Sequence, residues 1–368
     1  MTVETETRNP LAFPCTQCGA ELEFAPGTKH LKCPYCGTEN EIKSTTGDVV
    51  ELDYRSHLQN LRTAQPTTTV SEVTCDGCGA TSQLGENVTS DECAFCGNSL
   101  RAEPVQHQVM RPSAVLPFQI QVKEATLKFI EWVDSRWFAP NDFSAFAHQE
   151  AALKGVYLPY WTYDCEVTTR YRGERGDDYR VQETYTDTDD KGNRVQKTRT
   201  VTKTRWRSAS GHVEDSFDDV LIIASESLPR NYTQELEPWD LENLVDYKDA
   251  YLSGFRSEAY KIDLAAGFEL AKDRMEPIID STIRRDIGGD KQRIHSKDSI
   301  HREISFKHIL LPIWVSAYFY KENTFRFMVN GRTGEVQGER PWSWIKITLA
   351  VLGVVSVIGA IVYFNQGS

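Results

Sequence analysis

The strongest constraint on the fold is a cysteine pattern that occurs twice in the first hundred residues. Both copies have the form Cys-x2-Cys-x14-Cys-x2-Cys, and the second begins sixty residues after the first. The ligands are Cys15, Cys18, Cys33 and Cys36 in the first copy, and Cys75, Cys78, Cys93 and Cys96 in the second. A two-residue gap lets both sulfurs of a tight turn reach one ion, and the spacer is long enough for a β-hairpin. The pattern predicts two four-thiolate zinc ribbons.

A glycine follows the second cysteine of every pair, at positions 19, 37, 79 and 97. A metal-binding turn directs backbone N–H groups at the thiolates, and glycine readily adopts the positive φ that this requires. Each predicted ion has four protein ligands, so no coordination position is left for water or substrate. We therefore expect two structural zinc ions.

Disulfide bonds and iron are the alternative uses of these cysteines. Disulfides are expected in exported proteins, and residues 1–10 lack the basic and apolar regions of a signal peptide. An iron site of the rubredoxin kind has similar ligands and stays open as an alternative. We expect His30 to lie at the surface, and the ninth cysteine, Cys165, to lie in a strand of the next domain.

The charge around the ribbons favours contact with protein. The chain has a net charge of -12, and residues 1–100 contain fourteen acidic side chains and six Lys or Arg. No Lys or Arg lies between Cys75 and Cys96. Nucleic-acid binding needs basic groups at the phosphates, so nucleic acid is an unlikely ligand of the ribbons. We expect them to contact a protein partner or the rest of the chain.

An uncharged apolar segment near the C-terminus predicts a transmembrane helix over 344–364. Its central eighteen residues, 347–364, would span ~27 Å at ~1.5 Å per residue. Trp342 and Trp344 precede it, where an interfacial aromatic belt is expected. A buried core helix is the alternative, but such a helix usually keeps a polar stripe.

Basic residues precede the apolar segment, at Arg340 and Lys346, and no charge follows it. The positive-inside rule then places the bulk of the chain in the cytoplasm, with one pass through the cell membrane. Since the segment is close to the end of the sequence, we expect post-translational, tail-anchored insertion. Oligomeric state is not predicted.

The whole sequence predicts an α+β fold. Its units are a tail at 1–14, ribbon 1 at 15–43, a linker with a short helix at 44–72, ribbon 2 at 73–101, a β-rich mixed α/β domain at 104–341, the transmembrane helix and a tail at 365–368. Within the large domain, apolar periodicity predicts helices over Gln121–Phe138 and Asp263–Arg285. Two similar segments, Leu158-Pro-Tyr-Trp161 and Leu311-Pro-Ile-Trp314, indicate two related β-rich halves.

One stretch carries a basic face, because its Lys and Arg residues all have odd numbers and would share one side of a strand. These residues are Lys197, Arg199, Lys203, Arg205 and Arg207. A hairpin centred near Lys191 would place Glu183 opposite Arg199, and Asp177 opposite Arg205. The face is then either neutralised within the hairpin or free to meet anionic lipid.

The sequence contains no nucleophile elbow, phosphate-binding loop, dinucleotide-binding glycine motif or zinc-protease motif. We therefore expect no enzymatic activity. An enzyme of unknown type in the β-rich domain remains a third alternative, which a deep pocket lined by ionisable groups would favour.

Several segments resemble a bacterial family of TFIIB-type zinc-ribbon proteins with a C-terminal membrane anchor. They are the two cysteine patterns and residues Gly155–Asp164, Phe306–Trp314 and Val329–Glu335. Members are often labelled replication-restart helicase-like, but nothing in this sequence resembles an ATPase motor. The resemblance implies partners among phage-shock or SPFH-type membrane proteins, in a response to membrane stress.

The main functional hypothesis is a membrane-anchored zinc-ribbon adaptor or scaffold for a cytosolic or membrane-associated protein. The alternative is a membrane-tethered zinc-ribbon protein that binds nucleic acid, which requires the basic face to be free.

Overall fold

A computed structural model of the chain describes residues 13–43, 49–60, 67–77, 79–84, 91–100, 105–140, 142–143, 153–188, 192–320 and 323–366. These residues form a mixed α/β structure around one large, mainly antiparallel sheet. Small sheets that carry the cysteines are attached to it, and one long apolar helix ends the described chain.

The strands are β1 Glu23–Phe24, β2 His30–Lys32, β3 Glu39–Glu41, β4 Leu52–Asp53, β5 Thr67–Thr74, β6 Thr81–Leu84, β7 Asp91–Glu92, β8 Ser99–Leu100, β9 Val105–Met110, β10 Ala114–Val115, β11 Lys154–Thr188, β12 Arg194–Ile223, β13 Val245–Asp246, β14 Arg256–Ser257, β15 Lys291–Tyr320, β16 Asn323–Asn330 and β17 Val336–Gly338. The helices are α1 Tyr54–Asn60, α2 Val122–Asp134, α3 Arg230–Glu235, α4 Leu264–Ile287 and α5 Trp344–Gln366.

The large sheet has nine strands, and its main path runs β12-β11-β15-β10-β13. Strands β4 and β16 also pair with β15, while β14 pairs with β11 and β17 with β16. The contacts of β10 with β15 and of β14 with β11 are parallel, and the other pairings in this sheet are antiparallel.

Strand β11 has 35 residues, about 115 Å at ~3.3 Å per residue, and its burial changes in three steps. Residues 156–163 are buried on both faces. From 165 to 173 alternate residues are buried, because α4 covers one face of the sheet there. From 179 to 188 no described side chain is buried. The sheet therefore begins as a covered core and ends as an uncovered projection.

We call the projecting part the arm: residues 164–188 of β11, 194–217 of β12 and 291–305 of β15. The last pair between β11 and β15 is Gly176 with Lys291. Beyond it, residues 177–188 and 194–205 form a two-stranded hairpin, which we call the tip.

The two Leu-Pro-x-Trp segments lie side by side in the sheet, with Leu158 opposite Leu311. The Trp161 indole N–H donates to the carbonyl of Ile262 at 2.9 Å, and the Trp314 indole N–H donates to the carbonyl of Ile120 at 3.0 Å. Each carbonyl lies two residues before the first residue of a helix, α4 in one case and α2 in the other.

Each of the two short parallel strands precedes one of these helices and pairs with the strand whose indole binds the start of that helix. Strand β14, which precedes α4, pairs with β11 at Val156 and Tyr157. Strand β10, which precedes α2, pairs with β15 at Ile309 and Leu310. Strand β11 therefore holds the start of α4, which precedes β15 in the chain, and β15 holds the start of α2, which precedes β11.

The two ribbons pack on opposite faces of this sheet. Phe24 of ribbon 1 shares a buried cluster with Tyr157 and Leu310. Phe95 of ribbon 2 shares another with Leu158 and the alternate positions of the same strands. Because successive side chains of a strand point to opposite faces, the two clusters lie on opposite sides.

The segment between the ribbons is part of the sheet. Leu52 and Asp53 of β4 pair with Phe306 and Ser305 of β15, and the predicted short helix follows directly as α1. Strand β5 begins at Thr67, so the sheet of ribbon 2 includes the end of the predicted linker.

The two longest predicted helices of the large domain are present in similar positions. Helix α4 begins after Asp263, whose side chain accepts a hydrogen bond from the Ala266 N–H at 2.8 Å. Such an N-cap satisfies a free donor of the first turn. Helix α2 ends earlier than predicted, at Asp134 rather than Phe138.

The start of helix α5 is hydrogen-bonded to the loop that follows α2. The Ser343 N–H donates to the Phe138 carbonyl at 2.8 Å, and the Lys346 ammonium donates to the Ala139 carbonyl at 2.8 Å. The segment Trp344–Val362 is long and apolar enough to cross a membrane, and none of it is buried in the fold. It is therefore not a core helix of this domain.

Replacing Trp161 or Trp314 with Phe should lower the free energy of unfolding by about 1–3 kcal/mol in each case, because a buried carbonyl loses its donor. Urea unfolding of the full-length chain in detergent measures this loss. Trp137→Phe is the control, since Trp137 is 78% exposed and should change stability by less than about 0.5 kcal/mol. Equal effects of all three changes would contradict the paired role of the two buried indoles.

Candidate metal centres

The first four predicted ligands converge in ribbon 1. The sulfurs of Cys15, Cys18, Cys33 and Cys36 all lie within 4.8 Å of one another. Cys15 Sγ is 3.5 Å from Cys36 Sγ, and Cys18 Sγ is 3.5 Å from Cys33 Sγ. Tetrahedral zinc with Zn–S bonds of about 2.3 Å needs sulfurs about 3.8 Å apart. The geometry therefore fits one metal ion with four thiolate ligands.

The predicted glycines close the metal-binding turns. The Gly19 N–H donates to the Cys15 carbonyl at 2.9 Å, and the Gly37 N–H donates to the Cys33 carbonyl at 3.0 Å. Their φ angles are 75° and 74°, in the left-handed region. A Cβ at either position would meet no heavy atom within 4 Å. Backbone conformation, not lack of space, is therefore what requires glycine here.

Backbone and side-chain donors favour the thiolate form of Cys15 and Cys36 in ribbon 1. At Cys18 the Ala20 N–H lowers the pKa, but the neighbouring Cys33 and Cys36 thiols outweigh it and raise the pKa to about 12. The N–H groups of Cys18 and Gln17 lower the pKa of Cys15. The Thr38 hydroxyl, 3.1 Å from Cys36 Sγ, and the Thr38 N–H lower the pKa of Cys36 to about 6. Thiolates are the form that binds metal, so the turns prepare the ligands for an ion.

Ribbon 2 brings together Cys75, Cys93 and Cys96, whose sulfurs also lie within 4.8 Å of one another. Cys78, the fourth predicted ligand, lies outside the described residues. The turns match those of ribbon 1, because Gly79 and Gly97 donate to the carbonyls of Cys75 and Cys93 at 2.8 and 2.9 Å. Both glycines again have positive φ, at 74° and 75°.

The two centres are similar in exposure at their first cysteines, because Cys15 and Cys33 of ribbon 1 are buried, as are Cys75 and Cys93 of ribbon 2. The second cysteines are more open: Cys18 and Cys36 are exposed, and Cys96 is partly exposed. His30 lies on β2 and is not part of the thiol cluster. Cys165 lies in β11, as predicted, where its thiol is 3.7 Å from the Met275 sulfur.

Sequence reasoning missed a charged cluster at the root of the arm. The buried Lys307 ammonium, with 8% of its side chain exposed, lies 2.7 Å from Asp219 Oδ1 and 3.0 Å from Glu51 Oε1. The Ser305 hydroxyl donates to Asp164 Oδ2 at 2.9 Å. Burial raises the pKa of Asp164 to about 6. The only sequence signal was that Asp164 and Lys307 belong to segments noted for resemblance.

A fourth carboxylate, Asp218, brings its oxygen within 4.8 Å of those of Asp164 and Asp219. The Lys307 ammonium pairs directly with Asp219, and the Asp219 N–H donates to Asp164 Oδ1 at 2.6 Å. The cluster is therefore explained as an internal ion-pair network.

The segment Val329–Glu335 is structural as well. The Asn330 amide donates to the Leu236 carbonyl at 2.9 Å, and its oxygen accepts from the N–H groups of the following turn. The Arg332 guanidinium pairs with both carboxylate oxygens of Asp240. The turn thereby ties β16 to the segment that follows α3.

The predicted basic face is largely neutralised within the hairpin. The register is the predicted one, with Glu183 opposite Arg199 and Asp177 opposite Arg205. The ion pairs are Lys197–Asp187 at 2.8 Å, Lys203–Glu183 at 2.8 Å, Arg199–Glu183 at 3.5 Å and Arg207–Asp177 at 3.0 Å. The guanidinium of Arg205 lies 5.2 Å from the centre of the Tyr179 ring.

Glu258 is buried between the sheet and ribbon 2. The Ser225 hydroxyl donates to its Oε2 at 2.6 Å, but Oε1 has no hydrogen-bond partner among the described residues. Nearby, the Thr81 N–H of ribbon 2 donates to the Ser227 hydroxyl oxygen at 3.3 Å. Burial raises the pKa of Glu258 to about 7.

These features define a class: a mixed α/β protein with cysteine clusters that could hold metal ions and one helix able to cross a membrane. The chain is similar to an uncharacterised protein, YdjG, of Bacillus subtilis (strain 168), with 26% identity over 347 residues, which cover 94% of each chain. No protein-family model and no solved structure matches it.

Metal analysis of the full-length chain, purified in detergent, should find two metal ions per chain. Cys33→Ser removes one thiolate from ribbon 1 and should lower the content to one ion, because a three-thiolate site binds less tightly. Cys165→Ser is the matched control and should leave two ions. Unchanged metal content in the Cys33→Ser protein would contradict the assignment of ribbon 1.

Glu258→Gln should remove a pH dependence of stability. Between pH 4.5 and about 7 the folded chain keeps the Glu258 proton while the unfolded chain loses it, so stability falls as pH rises through this range. The free energy of unfolding of the variant should be higher than that of the wild type by about 1–3 kcal/mol at pH 8, and by less at pH 6. Urea unfolding at both values tests this, with the exposed Glu124→Gln as control. If the variant and the wild type differ by the same free energy of unfolding at pH 6 and pH 8, Glu258 does not cause the pH dependence.

Proposed function

We propose that this protein is a non-catalytic, membrane-anchored adaptor that holds a protein partner on its arm. The observation that carries the proposal is the combination of an apolar helix, hydrogen-bonded to the loop that follows α2, with a projection whose tip has no buried side chain among its described residues. A sheet that extends beyond its own core adds no buried surface to the fold, so it needs another explanation.

We infer that both metal ions are zinc and serve stability. Four thiolates suit zinc, and the closed ligand set leaves no position for substrate. The position of the ribbons supports this role, because their apolar side chains belong to the same buried clusters as the central strands. The iron alternative uses the same ligands and would appear as a coloured protein.

Helix α5 supports placement in the cell membrane, with the body of the protein in the cytoplasm. Arg340 and Lys346 lie at the end of the helix next to the body, which agrees with the positive-inside rule. Thiolates bind metal only while they are reduced, so a metal centre with Cys18 and Cys36 exposed agrees with a reducing compartment.

The docking surface that we favour is the tip. Both of its faces are accessible, and β12 is the edge strand of the sheet, with its outer backbone groups open to an added strand. The ribbons have less free surface, because one side of each packs on the sheet. The exposed knuckle of ribbon 1, with Tyr35 83% exposed, is the second candidate surface.

The identity of the partner remains a prediction from resemblance, which points to phage-shock or SPFH-type membrane proteins. The nucleic-acid alternative is weaker, because four of the five residues of the basic face make ion pairs with carboxylates of the same hairpin. A neutralised face releases few counterions from a phosphate backbone.

Affinity purification of the full-length chain from detergent-solubilised membranes tests the docking surface. Replacing residues 178–204 with Asn-Gly shortens the hairpin while keeping Asp177 next to Arg205, a spacing that a two-residue turn can close. This variant should lose a partner that the wild type retains, whereas Tyr35→Ala should keep it. Metal content and unfolding show whether both variants are folded.

Loss of the partner only with Tyr35→Ala would move docking to ribbon 1. Retention of every partner by both variants would contradict docking on either surface. Salt-dependent binding of RNA or DNA that disappears with the shortened hairpin would instead favour the nucleic-acid alternative.

A further inference from the structure

A cavity of about 510 Å³ lies beside the start of helix α5. Its walls include Trp132 and Arg136 at the end of α2, Tyr232 of α3, Gln337 of β17, and Arg340 and Trp342, which directly precede the helix. The cavity is large enough for a small polar headgroup, and it belongs to neither ribbon nor arm.

Two arginines at this cavity lack an acidic partner. The Arg136 guanidinium lies 4.5 Å from the centre of the Trp132 ring, and that of Arg340 lies 4.3 Å from the Trp342 ring. Neither makes an ion pair with a carboxylate in the described part of the chain. Burial and the neighbouring Arg340 lower the pKa of Arg136, so each positive charge is unfavourable for the other.

Two buried nitrogens of residues beside the cavity lack a hydrogen-bond partner among the described residues. Arg136 Nε and Trp132 Nε1 are buried and have no hydrogen-bond partner among the residues that the structure describes. Buried donors of this kind usually have a partner, because leaving one unpaired costs about 1–3 kcal/mol. Since neither nitrogen is exposed to the cavity, an anion there would contact the outer guanidinium nitrogens of Arg136 and Arg340 and would offset the repulsion between the two charges.

The carboxylates near the cavity do not occupy this role. Glu235 and Glu339 contribute to its walls, but Glu235 is exposed and Glu339 Oε2 accepts the Arg326 N–H at 3.0 Å. The preference for an anion therefore depends on the two guanidinium groups and not on the net charge of the walls, and Glu335 acts against it by raising the pKa of Arg136.

The position of the cavity indicates the source of the anion. Lys346 and Ser343 bind the loop after α2, so this loop and the start of α5 are held together. Trp137 on that loop is 78% exposed and Trp344 is 77% exposed. Exposed tryptophans at the end of a membrane helix lie at the level of the lipid headgroups. Lipid phosphates would lie at the same level.

We propose that this cavity binds the phosphate-bearing headgroup of an anionic phospholipid of the cytoplasmic leaflet. Arg136 and Arg340 contact the phosphate oxygens, since guanidinium groups bind phosphate through paired hydrogen bonds. The inference rests on the proposed membrane anchoring. Free inorganic phosphate has the same chemistry and is the alternative source.

Native mass spectrometry of the full-length chain in detergent, with phosphatidylglycerol or phosphatidylcholine added in turn, tests the proposal. The wild type should bind phosphatidylglycerol about tenfold more tightly. Arg136→Gln combined with Arg340→Gln should remove this preference, while Arg170→Gln, an exposed change on the arm, should keep it. Arg136→Lys combined with Arg340→Lys should restore the preference for phosphatidylglycerol in part. Lysine keeps the positive charge but cannot form the paired hydrogen bonds of a guanidinium group.

Equal binding of the two lipids by the wild type would overturn the proposal. Stabilisation by millimolar inorganic phosphate that abolishes phosphatidylglycerol binding would also overturn it, in favour of a soluble anion. Carbonate extraction of membranes is measured in parallel for every variant. Release of the wild-type chain by carbonate would contradict the membrane anchoring itself, whereas retention of all variants with lost lipid preference supports the cavity as the lipid site.

Discussion

The antiparallel pairing of β11 with β15 is the contact on which the rest of the structure depends. Around Leu158 and Leu311 these strands are buried on both faces, and each face carries a ribbon. Strands covered on both sides must be apolar at successive positions, which explains why the two segments share the sequence Leu-Pro-x-Trp. The two indoles then fix the starts of α2 and α4, so one pairing positions both main helices.

The ribbons complete this core. A module of about thirty residues buries too little apolar surface to be stable alone, and a metal ion usually supplies the difference. Here each ribbon also contributes apolar side chains to the faces of the sheet. If the cysteine clusters hold metal ions, metal binding and packing are coupled, and loss of an ion would expose part of the central sheet as well as the ribbon.

Features that depend on local spacing could be predicted from the sequence. The cysteine patterns and their glycines, helix α4 and the register that places Glu183 opposite Arg199 all follow from neighbouring residues. Features that depend on distant pairing could not. Nothing local shows that β4 joins the sheet at Phe306, or that Lys307 meets Glu51, because these contacts join residues about 250 positions apart.

The attachment of α5 to the loop after α2 has a mechanical consequence. If helix α5 crosses a membrane, as proposed, rotation of the helix about the membrane normal would turn the hydrogen-bonded body with it. The arm, about 80 Å from residue 164 to residue 188 at ~3.3 Å per residue, then moves as a lever of fixed length. A molecule held at its end would be confined to a narrow ring around the anchor. A stiff connection of this kind would hold a bound molecule at one distance from helix α5. A flexible linker of equal length would let the same molecule occupy a whole hemisphere.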